Sequence, residues 1–232
     1  MDHPSSTDRP DGATPARSFY DRWARLYDVI SRSTPGIGGV RERVADACRL
    51  EAGETVVELG CGTGANLPYL QSAVGERGTV VGIDVARGVL DRAERVVGQR
   101  ETVHLVRGDA TRPPVPDGSV DAVVATFVVG MLSDPAAAVD RWCDLVRPGG
   151  RVVLANAASS ERWYAPAVNP FFDAIVRLST PPTAQLRYET DQRARLDRRV
   201  RQAHDRLRSN ASATVRADSH FGVVRLTGGV ID

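Results

Sequence analysis

Short apolar runs recur along the middle of the chain, at Thr55–Leu59, Thr79–Ile83, Val103–Arg107, Val120–Thr126 and Arg151–Ala155, with stretches of mixed polarity between them. Their Val, Leu and Ile content is continuous rather than alternating, as a strand covered on both faces requires. Five such strands joined by helical crossovers predict a parallel sheet wound on both sides, an α/β architecture. The helix before the fifth run spans Pro135–Val146, and Pro148-Gly149-Gly150 combines its stop with a tight turn. Upstream, Phe19, Trp23, Leu26 and Ile30 recur at helical spacing within Ser18–Ser31. Pro35, Gly36, Gly38 and Gly39 break that helix, and a second follows over Val40–Leu50. Downstream, the pattern predicts a short helix near Asn169–Leu178 and a long charged one over Thr190–Ser209. The long helix carries an apolar stripe of Leu196, Val200, Ala203 and Leu207. Ala213–Ser219 and Val223–Ile231 read as a closing hairpin around His220-Phe221-Gly222.

A length of 232 residues suits one well-buried domain with small additions. Residues 1–16 have the composition of a flexible tail, residues 17–52 form an N-terminal helical cap, and residues 53–232 form the main domain. Within that domain, residues 156–188 are an aromatic, proline-rich insert expected to serve as a substrate lid. A formal charge of +1 argues against a nucleic-acid partner held by a global basic field. Every basic residue is arginine, so neither a Schiff base nor a lysine general base can come from this chain. Cys48, Cys61 and Cys143 are widely spaced, with no Cys-x-x-Cys pair and no cluster at metal spacing, and no metal is expected. The first residues lack the apolar core of a signal peptide, and no apolar run is long enough to span a bilayer; a cytoplasmic location is expected.

Gly60, Gly62 and Gly64 follow the first strand and precede a helix, so the backbone can turn sharply and approach a ligand at the strand's carboxyl end. By itself such a loop also fits an ordinary strand-to-helix turn. Two acidic residues add to it: Asp84 at the end of the second strand, where a carboxylate can accept both ribose hydroxyls, and Asp109 at the end of the third. A dinucleotide site would carry Gly-x-Gly-x-x-Gly, whereas this loop has tighter glycine spacing and Glu58 ahead of it. That extra carboxylate suits a cation better than a pyrophosphate.

Val57-Glu58-Leu59-Gly60-Cys61-Gly62-Thr63-Gly64, Val81-Gly82-Ile83-Asp84, Gly108-Asp109-Ala110, Pro114–Asp121 and Arg147-Pro148-Gly149-Gly150 occur in the order of the class I S-adenosylmethionine-dependent methyltransferase motifs. The segment from Val56 to Asn156 resembles that family's core throughout. The resemblance implies a Rossmann-like, doubly wound, seven-stranded, mostly parallel sheet with a C-terminal antiparallel hairpin and helices on both faces. It also implies S-adenosyl-L-methionine as cofactor. On that reading Glu58 lies near its methionine part and the Gly60, Cys61, Gly62 and Gly64 backbone borders it. Asp84 binds ribose, Val85 packs against adenine, Asp109 and Ala110 hold the adenine edge, and Thr126 faces the transferable methyl. Simple packing explains Val85 and Ala110 equally well.

Tyr20-Asp21-Arg22-Trp23-Ala24-Arg25-Leu26-Tyr27-Asp28 resembles a signature of quinone-biosynthesis and phospholipid N-methyltransferases. Tyr20 and Tyr27 fall on one helical face, from which both phenols could close over the cofactor; a helix merely anchored by aromatics is the plainer alternative. The insert matches no substrate motif of either subgroup. Its apolar and aromatic character favours a small or lipophilic acceptor, quinone-like, phospholipid or other, while an ordinary packing cap fits as well.

Methyl transfer is an in-line displacement with an excellent leaving group, so alignment and exclusion of water dominate. If the acceptor needs a base, His220 at the closing turn, Tyr164 in the insert, Tyr27 and His204 on the long helix are the candidates. His220 is favoured, because the sixth strand of such a sheet runs parallel to the others and delivers its following turn to the cofactor edge. The arginine excess over Thr190–Ser209 could contact anionic lipid peripherally, or be a solvated face laced with ion pairs. A nucleotide-dependent oxidoreductase of the NAD type and a non-catalytic S-adenosylmethionine-binding module are the competing readings, and oligomeric state is open.

Overall fold

The computed structural model describes residues 36–98, 100–178 and 192–232, with the backbone alone at 37, 175–178 and 192. The tail, the predicted Ser18–Ser31 helix and part of the insert therefore lie outside the described residues. So do Tyr20 and Tyr27.

Val56, Leu59, Val80, Ile83, Val123, Val124, Val152 and Leu154 have no exposed surface, and all belong to one sheet whose two faces are both covered. Its strands are β1 (Thr55–Leu59), β2 (Thr79–Asp84), β3 (Val103–Arg107), β4 (Val120–Thr126), β5 (Val146–Ala157), β6 (Ala213–Ser219) and β7 (Val224–Val230). Their order across the sheet is β3-β2-β1-β4-β5-β7-β6. β1 pairs in parallel with β2 and β4, β2 with β3, and β4 with β5. β7 runs antiparallel to both β5 and β6. β6 therefore points the same way as β1–β5, and the turn after it lies on the carboxyl edge of the sheet, as expected.

The helices divide between the faces. Val40 and Val44 of α1 (Ile37–Cys48), Leu67, Leu70 and Val74 of α2 (Leu67–Val74), and Leu90 and Val97 of α3 (Arg87–Val97) pack on one side. On the other are Val139, Trp142 and Leu145 of α4 (Pro135–Leu145) and Val200, Ala203 and Leu207 of α6 (Gln192–Asn210). Each buried Val or Leu among them stabilises the fold by roughly 1.5–3 kcal/mol. α4 starts where the sequence places it, because Asp134 accepts from Ala137 N at 3.0 Å and Pro135 occupies the first turn. An Arg206–Asp140 ion pair, Nη2 to Oδ2 at 2.9 Å, ties α6 to α4.

Two expectations are corrected. The fifth strand is longer than Arg151–Ala155, and Pro148-Gly149-Gly150 is not a free turn before it. Gly149 N donates to Ile231 O at 2.6 Å and Gly150 O accepts from Ile231 N at 2.9 Å, while the pairing register with β4 shifts between Val120 and Ala122. The three residues are an irregular stretch of β5, held by Ile231. α5 (Ala165–Leu178) begins about one turn before Asn169, since Tyr164 O accepts from Ala167 N and Val168 N at 3.0 and 3.3 Å. Among the described residues no helix is long and apolar enough to cross a membrane.

Candidate functional site

β1 delivers its last residues to the carboxyl edge, where Gly60 turns with φ 67°. A Cβ at Gly60 would lie 2.4 Å from Val128 Cγ2, so the loop's first residue must be glycine for both its conformation and its contact with the chain leaving β4. Cys61 N then donates to Ile83 O at 3.0 Å and Gly64 N to Cys61 O at 2.9 Å, and Cys61 itself is buried. Asp84 closes the loop from the neighbouring strand: Oδ2 accepts from Gly62 N at 3.0 Å and Oδ1 from Ala86 N at 2.9 Å. The carboxylate at the end of β2 thus fixes the glycine turn and remains half-buried at the edge.

Glu58 is 1% exposed and sits at the centre of this arrangement. Its Oε1 accepts from Asn66 Nδ2 at 2.5 Å and from Thr126 Oγ1 at 3.0 Å, while Asn66 Nδ2 also lies 2.7 Å from Thr126 Oγ1. Oε2 is buried and has no hydrogen-bond partner among the described residues. Burial pushes the Glu58 carboxyl up to about 7, against the lowering effect of the Asn66 and Thr126 hydrogen bonds and the Arg41 charge. Asn66 stands at the N-cap of α2, where an asparagine ordinarily accepts from the helix's first amides. It makes no such bond. Its amide is turned instead to Glu58 and Thr126, and the cap bond given up is worth about 1 kcal/mol.

At the end of β3, Asp109 is exposed, and hydrogen bonds from Thr111 N and Thr111 Oγ1, at 2.8 and 2.9 Å, hold its carboxyl below the ordinary value. Ala110 O accepts from Trp142 Nε1 at 2.7 Å, so a fully buried indole on α4 anchors the backbone after β3. Val85 is 65% exposed and packs into neither core. Because β3, β2 and β1 are adjacent, Asp109, Asp84 and Glu58 form a row along one edge, about 10 Å from end to end at ordinary strand spacing. The row runs from an exposed carboxylate to a buried one with an unpartnered oxygen. Such an edge can take an elongated ligand with hydroxyls near β2 and a cationic group near β1.

The proposed bases separate. His204 is buried, with Nδ1 2.8 Å from Thr227 Oγ1 and Nε2 3.3 Å from Asn156 Nδ2, and burial pushes it down to about 4. Both of its ring nitrogens are engaged inside the fold, unlike Glu58 Oε2, which removes it as a candidate base. His220 is half-buried in the β6–β7 turn, with its Nε2 3.4 Å from where a Cβ on Gly36 would lie. Tyr164 lies edge-on to both Trp163 and Phe221. Reading the sequence missed Asn66 and Trp142. The need of buried Glu58 for a donor could have pointed to Asn66, the only uncharged amide side chain in its loop; Trp142 read only as core. No group of three or more His, Cys, Asp or Glu among the described residues is placed to hold a metal.

Residues 57–154 match the family described as "Methyltransferase domain". The chain is 34% identical over 141 residues to aklanonic acid methyltransferase of a Streptomyces species, covering 59% of this chain and 62% of that protein. It is 31% identical over 160 residues to demethylmenaquinone methyltransferase of Paenarthrobacter aurescens, covering 67% of this chain and 59% of that protein. The chain thus spans less than two thirds of the length of these relatives. A solved S-adenosylmethionine-dependent methyltransferase from Aquifex aeolicus superposes with a TM-score of 0.64 at 20% identity, covering 91% of this chain and 98% of that one. Its likeness is one of fold. Residues 57–154 are a methyltransferase domain by their family match, and the sheet built around them has the fold of a solved S-adenosylmethionine-dependent methyltransferase.

Proposed function

We propose that this chain transfers a methyl group from S-adenosylmethionine to a small, lipophilic acceptor. The observation that carries the reading is the buried Glu58 carboxylate, whose Oε2 is unpartnered among the described residues at the end of the Asp109–Asp84–Glu58 row. A cationic amino-acid group offers the partner that this oxygen lacks, whereas a pyrophosphate would meet like charge there. Asp84 would accept the ribose hydroxyls, Asp109 and Ala110 would border adenine beside Val85, and the Gly60, Cys61, Gly62 and Gly64 backbone would line the amino-acid portion. Thr126, fixed by Glu58 and Asn66, would stand beside the reacting centre. Tyr20 and Tyr27 are proposed to cover the cofactor from the N-terminal segment.

The cofactor, when bound, supplies an electrophilic methyl on a sulfonium. Transfer breaks the sulfur–methyl bond with its electron pair left on sulfur, forms a bond from the acceptor's nucleophilic atom to that carbon, and releases the acceptor's proton to water or to a base. His220 is the proposed base, with Tyr164 beside the same turn. Relatives named for aklanonic acid and for demethylmenaquinone support a lipophilic, quinone-like or otherwise small acceptor. Location in the cytoplasm and contact with anionic lipid through exposed Arg198 and Arg201 belong to the same proposal.

The test is incubation of the purified protein with methyl-labelled S-adenosylmethionine and a cell extract, followed by mass spectrometry of small molecules. Label in an extractable small molecule, lost with Asp84→Ala, is expected. Protection of the protein by NAD but not by S-adenosylmethionine would overturn the proposal in favour of an oxidoreductase.

A further inference from the structure

The turn from β6 to β7 is held in a conformation that its residues disfavour. His220 and Phe221 have φ of 49° and 57°, and Gly222 follows at 78°. Two successive non-glycine residues in the left-handed region need support from outside the turn. Ser160 provides it, its Oγ donating to Phe221 O at 2.8 Å. Asn169 of α5 in turn clamps Ser160, accepting from Ser160 N at 2.8 Å and donating to Ser160 O at 3.1 Å. A Cβ at Gly222 would lie 2.8 Å from Ser160 Oγ, so the clamp closes only over glycine.

What this strain maintains is an exposed row of rings. Phe221 is 74% exposed and meets Tyr164 edge-on, with centroids 6.4 Å apart and planes at 90°. Tyr164 meets Trp163, which is 91% exposed, at 5.4 Å and 75°. Core packing does not explain the arrangement, because the two outer rings contribute little to either core. Its place is telling: β6 runs parallel to β4, so the turn shares the carboxyl edge with Thr126. β7 is two strands from β4, about 10 Å away at ordinary strand spacing, which is the reach of a fused two-ring molecule.

Resting on the methyltransferase reading above, we infer that Trp163, Tyr164 and Phe221 form the acceptor subsite, and that it selects a planar aromatic ring system carrying the nucleophilic group. Rings fixed at right angles offer both a face and an edge to a flat guest, a geometry that a flexible alkyl chain does not exploit. His220, next to Phe221 in the strained turn, then stands beside the guest's hydroxyl.

The probes are 2-naphthol and 1-decanol, titrated calorimetrically into the full chain with and without S-adenosylhomocysteine. Wild type is compared with Phe221→Leu and Trp163→Leu, which keep apolar bulk and remove a ring. The inference expects 2-naphthol to bind wild type more tightly than 1-decanol. Each variant should weaken 2-naphthol about five- to tenfold, change 1-decanol less than twofold, and leave S-adenosylhomocysteine affinity unaltered. Unchanged 2-naphthol affinity in both variants, no 2-naphthol binding by wild type, or equal losses for both probes would each overturn it. Absence of S-adenosylhomocysteine binding by wild type would instead overturn the methyltransferase reading, while the arm without that compound still reads the ring-binding subsite.

Discussion

Asn66 Nδ2 lies 2.5 Å from Glu58 Oε1 and 2.7 Å from Thr126 Oγ1, so one amide ties a carboxylate within β1 to the hydroxyl ending β4. The helix cap that Asn66 forgoes and the burial of Glu58 both disfavour the fold locally. Their common product is a rigid acidic oxygen at the centre of the carboxyl edge.

Binding of a cationic ligand should report the Glu58 carboxyl directly. With its value near 7, most of it is protonated at pH 6 and ionised at pH 8. S-adenosylmethionine affinity should therefore rise severalfold from pH 6 to about pH 7.5, before the ligand's own amino group loses much of its proton. In Glu58→Gln the affinity should be lower and should not rise over the same interval; calorimetry at several pH values reads both, and an unchanged rise in the variant would contradict the assignment.

Stability should carry two opposed pH dependences. Glu58 is raised in the folded protein, so its contribution is full below the unfolded value and is lost as pH rises from about 4.5 through about 7. His204 is lowered, so its contribution is full above about 6.5 and is lost as pH falls towards about 4. Each amounts to about 3 kcal/mol. Against wild type, urea midpoints of Glu58→Gln should gain most at pH 7, and those of His204→Gln should lose least at pH 4. Variant-minus-wild-type curves with the same slope would refute the pairing.

Trp142→Phe should loosen the site from a distance. It keeps an aromatic core residue but leaves Ala110 O without its indole donor, at a cost of about 1 kcal/mol or more. S-adenosylhomocysteine affinity should fall severalfold along with the urea midpoint. A lowered midpoint with unaltered affinity would confine Trp142 to packing.

Gly60→Ala places a methyl 2.4 Å from Val128 Cγ2 at a φ of 67° and should cost about 1–3 kcal/mol. Adding Val128→Ala removes the clash but not the backbone strain. The double variant should be more stable than the sum of the single losses predicts, as a denaturation cycle will show; strict additivity would mean that the contact is relieved by backbone movement.

The sheet was legible because buried strands announce themselves: Thr55–Leu59 and Val120–Thr126 appear as apolar runs with the bounds the structure has. The Pro148-Gly149-Gly150 stretch was misread because its partner, Ile231, lies far along the chain and no local pattern shows the pairing. Asp84 and Asp109 stood out as carboxylates at the ends of apolar strands, and Glu58 as one ahead of the glycine loop. Asn66 did not, since an asparagine before a helix looks like a cap, and only a neighbouring buried acid reveals its other use. The Ser160–Phe221 and Asn169–Ser160 bonds join segments with no shared periodicity, so the strained turn and its ring row emerge only in three dimensions.

The central claim is that the Asp109–Asp84–Glu58 edge binds S-adenosylmethionine. Calorimetric titration of the full chain with S-adenosylhomocysteine, in wild type and in Asp84→Ala, tests it most directly. The account predicts one-to-one binding by wild type and a loss of tenfold or more in the variant, whose Gly62 and Ala86 amides lose their acceptor. No binding by wild type, or equal binding by both proteins, would contradict it.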